Sequence, residues 1–214
     1  RFAFHTSRQA FDYGLDFHPA ILGNGFDLDD YEFQSSEGGP LGWAGRIAPE
    51  KGLEDAVLVA SSLKDKLLVW GLTEDINYAK SIEQSALPGT IEWKGFQETF
   101  DFQHQLGQCR ALLNTPKWNE AYGNVVVESM ACGVPVIAYD RGGPGELIHS
   151  GLNGFLVPPD DLYAMRDATS RVSEIDRFQC RKWVEDFASY ESFSRRVENW
   201  IRAGLDDLIP NGTS

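Results

Sequence analysis

The sequence predicts an α/β fold, in which a parallel sheet carries helices on both faces. From Leu41 onward, short apolar runs of β-forming residues alternate with longer stretches of helical periodicity. This alternation is typical of repeated βαβ units, whose strands lie in parallel. A chain of 214 residues also suits one α/β domain with a full core and leaves no room for a second large domain.

Six strands and eight helices follow from this pattern. The predicted strands are residues 41–47, 66–71, 90–94, 110–114, 135–139 and 154–157. The predicted helices are residues 53–63, 77–86, 100–108, 124–132, 145–150, 162–174, 180–188 and 190–208. The last of these helices is amphipathic, with Phe193, Val197, Trp200 and Ile201 on one face that needs a cover.

Composition narrows the classes of function. The formal net charge is −13, so a nucleic acid, which needs a basic footprint, is not expected as a partner. No apolar run approaches the roughly 20 residues of a membrane helix, and residues 1–5 lack a signal-peptide pattern. Cys109, Cys132 and Cys180 have no Cys-x-x-Cys spacing, which predicts neither a disulfide framework nor a zinc site and favours a reducing cytoplasm.

Residues 119–138 carry the strongest functional signal. Glu120 and Glu128 lie eight residues apart, on either side of Gly123. Glycine lets a ligand approach the backbone, and a helix beginning near Asn124 would present unpaired N–H groups that favour an anion. The two carboxylates would repel a phosphate, but they accept hydrogen bonds from hydroxyl groups strongly. A ligand that carries both phosphates and sugars fits this segment.

Arg46 and Lys51 form a second signal, at the end of the first predicted strand. Arginine can fork onto phosphate oxygens and lysine adds a movable point charge, so the pair can neutralise a diphosphate without a metal. A solvated pair beside Glu50 is the alternative. Lys51 is followed by Gly52 and not by Ser or Thr, which argues against a P-loop.

The sequence does not carry a dinucleotide-binding fingerprint. The run Gly142-Gly143-Pro144-Gly145 is not Gly-x-Gly-x-x-Gly, and it does not follow the first strand. Phosphate binding is therefore expected from the two segments described above.

Together these motifs resemble the donor site of family 4 retaining glycosyltransferases. The resemblance rests on Glu-x7-Glu at 120 and 128, on Ser129-Met130-Ala131-Cys132-Gly133-Val134-Pro135-Val136, on Gly142-Gly143-Pro144-Gly145-Glu146, and on Gly-Arg-x4-Lys-Gly at 45–52. It implies a Rossmann-like parallel sheet with helices on both faces, the C-terminal half of a GT-B glycosyltransferase. Such a half binds most of a nucleotide sugar, while an N-terminal half binds the acceptor.

The resemblance assigns roles residue by residue. It implies catalytic roles for Arg46, Lys51 and Glu120, with Glu120 on the sugar hydroxyls near the reacting face. Glu128 would hold the ribose hydroxyls, and backbone amides of Gly123, Asn124 and Val125 would meet the distal phosphate. The implied donor-binding set is Gly45, Arg46, Lys51, Gly71, Gly95, Phe96, Glu120, Tyr122, Gly123, Asn124, Val125 and Glu128. No metal or other cofactor is expected.

The nucleobase is expected over the ends of the second and third strands. Trp70 and Trp93 alternate within strands and favour the core, so Gly95 and Phe96 are better candidates for edge contacts. The family's usual Gly-x-Gly after the second strand is here Gly71-Leu72-Thr73, which leaves base recognition open. UDP-glucose is the first expectation for the donor and GDP-mannose the second.

Three regions follow from the resemblance. Residues 1–40 are expected to be the end of an absent N-terminal acceptor domain plus an interdomain linker, because residues 24–27 resemble the Asn-Gly-x-Asp that follows the family's crossing point. Residues 41–188 are expected to be the donor-binding domain, and residues 189–214 a C-terminal crossover helix and tail. The apolar face of that helix would cover its own sheet or reach a neighbouring domain. The chain is thus expected to be a fragment, one half of a split enzyme or a proteolytic product.

Other functions and sites are also compatible with parts of the sequence. A glycosidase could use two carboxylates as acid and nucleophile, but hydrolysis does not call for Arg46 and Lys51 beside a helix N-terminus. A nucleotide-sugar epimerase of GT-B fold and a non-catalytic nucleotide-sugar-binding subunit both stay open. The acidic pairs at 29–30, 160–161 and 206–207 favour a solvated surface over a metal site, and His5, His18, His104 and His149 have no ligand spacing and receive no function.

The expected partners follow from the family resemblance. They are a UDP- or GDP-sugar, an acceptor sugar or lipid in polysaccharide or glycoconjugate synthesis, and the N-terminal acceptor domain in cis or as a separate chain. The expected location is the cytoplasm, with peripheral attachment to a membrane as a variant.

Overall fold

A computed structural model describes residues 2–14, 19–36 and 38–206 of the chain. Within these ranges the strands are β1 (Ala3–Phe4), β2 (Ala20–Ile21), β3 (Leu41–Ala44), β4 (Leu67–Trp70), β5 (Ile91–Gly95), β6 (Ala111–Asn114), β7 (Val136–Tyr139) and β8 (Gly154–Val157). The helices are α1 (Ser7–Asp12), α2 (Leu53–Leu63), α3 (Ile76–Ser85), α4 (Thr99–Gly107), α5 (Asn124–Ala131), α6 (Pro144–Leu147), α7 (Leu162–Ser170), α8 (Arg177–Phe187) and α9 (Tyr190–Asp206).

The centre of the molecule is a six-stranded parallel sheet in the order β5-β4-β3-β6-β7-β8. The chain moves outward from β3 to β5, returns to β6 on the other side of β3, and continues outward to β8. In open α/β sheets, ligands bind outside the carboxyl ends of the strands at such a reversal. The predicted α/β class with a parallel sheet is confirmed, and the sheet order places the expected crevice between β3 and β6.

The core lies on both faces of this sheet. Leu41, Leu67, Leu112, Val136 and Ile137 are fully buried in the central strands. Helices α2, α3 and α7 form one contacting layer, and α4, α5 and α8 form the other. Strands covered on both faces read as nearly continuous apolar runs, which is why the sequence alone located them.

Gly71 is required by the sheet itself. It has a φ of +140°, and a Cβ atom there would lie 1.8 Å from the carbonyl oxygen of Gly45. Only glycine combines that backbone conformation with so close an approach. The sharp turn after β4 is therefore set before any ligand binds.

Element boundaries differ from the sequence prediction where capping decides them. The first predicted strand ends at Ala44 and is followed by a 3₁₀ turn at Pro49–Lys51. Helix α8 begins at Arg177, three residues before the prediction, because the Asp176 carboxylate accepts from the Phe178 N–H at 2.9 Å. Two further changes are that predicted helix 145–150 is the single turn α6, and that predicted helix 162–174 divides into α7 and a 3₁₀ turn at Val172–Glu174. The sequence pattern did not predict β1, α1 and β2.

The acidic stretch predicted as a linker packs against the domain. Tyr31 is buried, and its carbonyl accepts a hydrogen bond from Arg181 at 2.8 Å. The Gln34 N–H donates to the Cys132 carbonyl at 3.0 Å, and its carbonyl accepts from Arg177 at 2.8 Å. These contacts fix residues 31–34 beside α5 and α8. The role of this stretch as an interdomain linker stays a prediction.

Helix α9 starts against the N-terminal segment. Its predicted end at residue 208 lies outside the described residues. Phe26 pairs with Ser189 just before the helix, Arg196 Nε donates to the Leu22 carbonyl at 2.7 Å, and Phe193 packs against Gly25. Further along, Ile201 is exposed, so the apolar face is covered only in part by the described residues. The reach of this helix to a neighbouring domain stays a prediction. No helix in the described ranges is long and apolar enough to cross a lipid bilayer.

Candidate functional site

A pocket with a volume of about 660 Å³ opens at the carboxyl ends of β3, β4 and β6. The N-terminus of α5 forms one wall, and Trp43, Trp70 and Phe102 contribute apolar surface. The structure brings almost the whole predicted set to this pocket. Its lining includes Gly45, Arg46, Lys51, Gly71, Phe96, Glu120, Tyr122, Gly123, Asn124, Val125 and Glu128, and Gly95 directly precedes Phe96.

The N-terminus of α5 is open toward the pocket. Gly123 has a φ of +99°, and it supplies no side chain to cap the helix. The N–H groups of Asn124 and Val125 make no hydrogen bond with any residue that the structure describes. Unpaired N–H groups and the positive end of the helix dipole favour an anion at this position.

Lys51 and Glu120 form an ion pair in the pocket wall. Lys51 Nζ lies 2.5 Å from Glu120 Oε2, and only about a fifth of each side chain is exposed. The same ammonium lies 4.9 Å from the centre of the Trp118 ring, which adds a cation–π contact. Lys51 is therefore held in the wall of the pocket that also contains the open end of α5, and the negative charge of Glu120 is compensated.

Arg46 is held differently, at the rim of the pocket. Its guanidinium lies 2.8 Å from a Glu74 oxygen and 3.0 Å from a Glu50 oxygen, and half of its side chain is exposed. The sequence left open the alternative that Arg46 is a solvated residue beside Glu50. The structure shows this ion pair, and Arg46 also lines the pocket. A bound diphosphate would compete with two carboxylates for this side chain.

Glu128 lies deeper and has no cationic partner among the described residues. Its Oε1 accepts a hydrogen bond from the Tyr31 hydroxyl at 3.2 Å. Burial raises the pKa of Glu128 above its ordinary value, while the Tyr31 hydrogen bond acts in the opposite direction. Burial next to this carboxylate also raises the pKa of Tyr31. A buried carboxylate of this kind is stabilised by a ligand that brings hydroxyl donors.

Aromatic side chains lie near the ends of β4 and β5, where the sequence predicts the nucleobase. Trp70 is buried and packs edge-to-face on Phe102, with ring centres 5.4 Å apart, as expected for a core residue. Trp93 is half-buried beside the core. Phe96 and Leu72 are each 61% exposed and lie in the pocket lining, so they offer apolar surface to a ligand.

Sequence reasoning missed several residues of this site. Tyr31 contacts Glu128 across 97 positions of the chain, and no local pattern reports such a contact. Asn24 lines the pocket, and its amide donates to the Asn124 side chain at 2.7 Å. His5, to which the sequence assigned nothing, also lines the pocket. Trp118, which contacts Lys51, was also not predicted, although it lies only two residues before Glu120 in the recognised motif.

Among the acidic pairs considered as metal ligands, the pair at 160–161 is held by other groups. No cluster of three or more His, Cys, Asp or Glu side chains with metal-binding geometry occurs within the described ranges. Asp160 pairs with Lys117 at 2.9 Å and with Arg141 at 2.7 Å, and Asp161 caps α7. Asp207 lies outside the described residues. The three cysteines are buried and unpaired.

Comparison with known proteins identifies the family. Residues 41–201 match the family model of the glycosyl transferases group 1, which is about three quarters of the chain. An α-1,3/1,6-mannosyltransferase, alg2, of Schizosaccharomyces pombe is 32% identical over 111 residues, which are 49% of this chain and 22% of the relative. Sucrose synthase 1 of Tulipa gesneriana is 36% identical over 84 residues, which are 37% of this chain and 10% of the relative.

Solved structures share the fold over nearly the whole chain. AviGT4, a glycosyltransferase involved in avilamycin A biosynthesis, matches with a TM-score of 0.82 at 20% identity, over 94% of this chain and 63% of AviGT4. Anabaena HepE in complex with UDP and glucose matches with a TM-score of 0.79 at 19% identity, over 94% of this chain and 62% of HepE.

The chain thus spans about three fifths of these two solved structures, and the matched regions cover 10% and 22% of those two relatives. The match to the family model covers more than half of the chain, and the parallel sheet flanked by helices is that of the C-terminal domain of GT-B glycosyltransferases. The protein belongs to the glycosyl transferases group 1.

Proposed function

We propose that this chain is the donor-binding domain of a family 4 retaining glycosyltransferase. Its substrate would be a nucleotide-diphosphate sugar, UDP-glucose first and GDP-mannose second, and the sugar would pass to an acceptor in polysaccharide or glycoconjugate synthesis. The observation that carries the proposal is that one pocket holds the open end of α5, the cation of Lys51 and the uncompensated carboxylate of Glu128. Anabaena HepE, solved with UDP and glucose, supports the choice of donor by its similar fold.

The parts of the pocket match the parts of such a donor. The N–H groups of Asn124 and Val125 and the ammonium of Lys51 suit the diphosphate. Glu128 suits the ribose, whose two hydroxyls would donate to it, and Glu120 suits the sugar hydroxyls. Phe96 and Leu72 offer apolar surface at the side where the base would lie.

The chemistry that follows needs no protein nucleophile. The bond between the sugar's anomeric carbon and the diphosphate breaks, and the departing diphosphate gains negative charge. Lys51, Arg46 and the end of α5 would stabilise that charge as it develops. The acceptor oxygen would bond to the anomeric carbon on the face that the diphosphate leaves, which retains the configuration, and the acceptor's proton would pass to a diphosphate oxygen. No metal is needed for this charge compensation.

The remaining parts of the reaction lie beyond the described pocket. The acceptor, a sugar or a lipid, would be bound by an N-terminal domain, in cis or as a separate chain. The work would take place in the cytoplasm, free or at a membrane surface. Transfer therefore requires that domain, whereas donor binding can be tested on this chain.

Thermal unfolding of the full chain tests the proposal. UDP, GDP, ADP and their sugars would be added at millimolar concentration. A ligand that binds the native state stabilises it by about 2.7 kcal/mol at a hundredfold excess over its Kd. For a domain of this size, that corresponds to an increase in Tm of roughly 5–10 °C. We expect such an increase with one nucleotide family and its sugar. If no nucleotide changes the Tm, the donor-site proposal is wrong.

A further inference from the structure

The pocket extends across the ends of four neighbouring strands. It runs from the segment after β5, past β4 and β3, to the loop that follows β6. Neighbouring strands are about 4.8 Å apart, so the three steps span roughly 14 Å. Phe96 lies at the β5 side, and His5 lies at the opposite side, next to the loop that carries Glu120. Under the proposed function, the base lies near Phe96 and the sugar lies near His5.

The segment that carries His5 is tied to the donor pocket. The Thr6 hydroxyl donates to the Ala121 carbonyl at 2.8 Å. The Glu146 carboxylate accepts from the N–H groups of Ser7 and Arg8, at 3.0 and 2.6 Å. These bonds hold the start of α1 against the loop after β6 and against α6. The position of His5 relative to Glu120 is therefore fixed by the contacts of the three residues that directly follow it.

The surroundings of the His5 ring define which nitrogen can bind a ligand. His5 Nδ1 lies 3.3 Å from the Gly23 carbonyl oxygen. A carbonyl can only accept, so Nδ1 carries the proton in this contact, and the neutral imidazole leaves Nε2 as an acceptor. Nε2 makes no hydrogen bond with any described residue. The ring also lies beside the Tyr122 ring, with centres 5.9 Å apart.

The other described histidines do not share this setting. His104 lies on α4 with Nδ1 at 3.7 Å from Glu32, and His149 packs beside the Trp183 ring. Neither lines the pocket. His18 lies outside the described residues. The fold therefore singles out one of the histidines that sequence spacing could not rank.

We propose that His5 binds the sugar of the donor, by accepting a hydrogen bond from one of its hydroxyl groups at Nε2. This inference rests on the proposed function and adds a residue from the N-terminal segment to the sugar end of the site. His5 would then help to distinguish an activated sugar from the bare nucleoside diphosphate.

Calorimetric titration of the full chain with paired ligands tests this assignment. The ligands are UDP-glucose against UDP, and GDP-mannose against GDP. We expect the wild type to bind the sugar form more tightly, and His5→Ala to reduce that preference by about threefold to tenfold, the range for one lost hydrogen bond. His5→Gln, which keeps an acceptor, should lose less than His5→Ala. His104→Ala is the matched control and should change nothing.

The outcomes separate the two proposals. If the wild type binds none of the four ligands, the donor site is wrong and this inference falls with it. If nucleotides bind but the sugar adds no affinity, or if His5→Ala weakens nucleotide and nucleotide sugar equally, only the role of His5 is wrong. A normal Tm for His5→Ala and His5→Gln establishes that the comparison is made on folded protein.

Discussion

Glu120 and Glu128 are the same residue type, eight positions apart, yet the fold gives them opposite electrostatic surroundings. Glu120 lies 2.5 Å from the Lys51 ammonium, so its charge is compensated before any ligand binds. Glu128 has the Tyr31 hydroxyl at 3.2 Å and no cation among the described residues, and burial raises its pKa. The two carboxylates of this motif therefore favour different chemical groups on a ligand.

This difference suggests that the two carboxylates have different roles in ligand binding. A compensated carboxylate can exchange its lysine contact for ligand contacts at little net change in energy, and the released ammonium can then meet a phosphate. A buried carboxylate without a counter-ion destabilises the unliganded domain and is relieved by hydroxyl donors. Perturbed ionisation of this kind is typical of functional sites. We infer that Glu128 is kept for binding and not for stability.

The largest effect is expected from Lys51→Ala. Removing the ammonium should weaken UDP by about tenfold to a hundredfold, the range for one charge-assisted contact, and should leave uridine nearly unchanged. Titration calorimetry with both ligands measures this. Lys182→Ala, which removes a surface lysine paired with Asp186, is the control. Equal weakening of UDP and uridine would mean that Lys51 does not contact phosphate.

A double variant sharpens that result. Lys51→Ala also leaves Glu120 without its partner, which lowers stability for a reason unrelated to ligand. In Lys51→Ala/Glu120→Gln, the Tm should recover while UDP binding should not. If both recover together, the single variant lost affinity through a disturbed loop.

The next effect concerns Glu128→Gln. The wild type should prefer UDP over 2′,3′-dideoxy-UDP by about tenfold, because two ribose hydroxyls donate to a charged acceptor. The variant should keep less than a twofold preference. Glu83→Gln on the exposed face of α3 is the matched control. An unchanged preference in Glu128→Gln would place the ribose elsewhere.

The pH dependence of stability separates Glu128 from Glu120. Because burial raises the native pKa of Glu128, the native state binds more protons than the unfolded state at pH values between the two pKa values. The stability contributed by this group is therefore highest below about pH 4.3, the unfolded value, and falls as pH rises through the native pKa. We expect Glu128→Gln to match the wild-type Tm near pH 4 and to exceed it by a few degrees at pH 7.

Thermal melts of both proteins from pH 4 to pH 8 provide the measurement. Each kcal/mol corresponds to about 2–4 °C for a domain of this size. If the wild-type Tm instead increases relative to the Tm of Glu128→Gln as the pH rises, the carboxylate has a counter-charge.

The smallest effect is expected from Tyr31→Phe. The Tyr31 hydrogen bond lowers the pKa of Glu128, so its loss should raise that pKa further. UDP binding should weaken by less than fivefold, and by more at pH 6 than at pH 8, because a higher pKa leaves less of Glu128 ionised at the lower pH. Tyr78→Phe, which removes a hydroxyl bonded to Glu54 outside the pocket, is the control. An equal loss at both pH values would mean that the Tyr31 hydroxyl does not act through the ionisation of Glu128.

Local pattern predicted most of the fold. All six strands of the main sheet were located, five of them as short apolar runs that are mostly buried, as at Leu67–Trp70. The strand β5 is only partly buried. Boundaries failed where a single capping side chain decides them, as Asp176 does for α8. An N-capping side chain adds one hydrogen bond at the start of a helix and does not change the spacing of the apolar residues. Hydrophobic periodicity therefore does not detect it.

The site was predictable to the extent that it is continuous in sequence. Glu120, Gly123 and Glu128 lie within one turn and one helix, so their neighbourhood follows from spacing. Lys51 faces Glu120 across 69 positions, and Tyr31 faces Glu128 across 97. No periodicity reports contacts of that range, and the acidic residues around Tyr31 gave no sign that this side chain has a buried partner.

By itself, the sequence determined the parallel α/β architecture and the glycine turn before α5, because strand burial and the turn at 123 depend on neighbours in the chain. The tertiary structure alone decided which carboxylate is compensated, which histidine lines the pocket and what covers the acidic stretch at 27–36. Charge and burial depend on distance in space, and only the folded sheet brings β1, the loop after β6 and the start of α5 to one place.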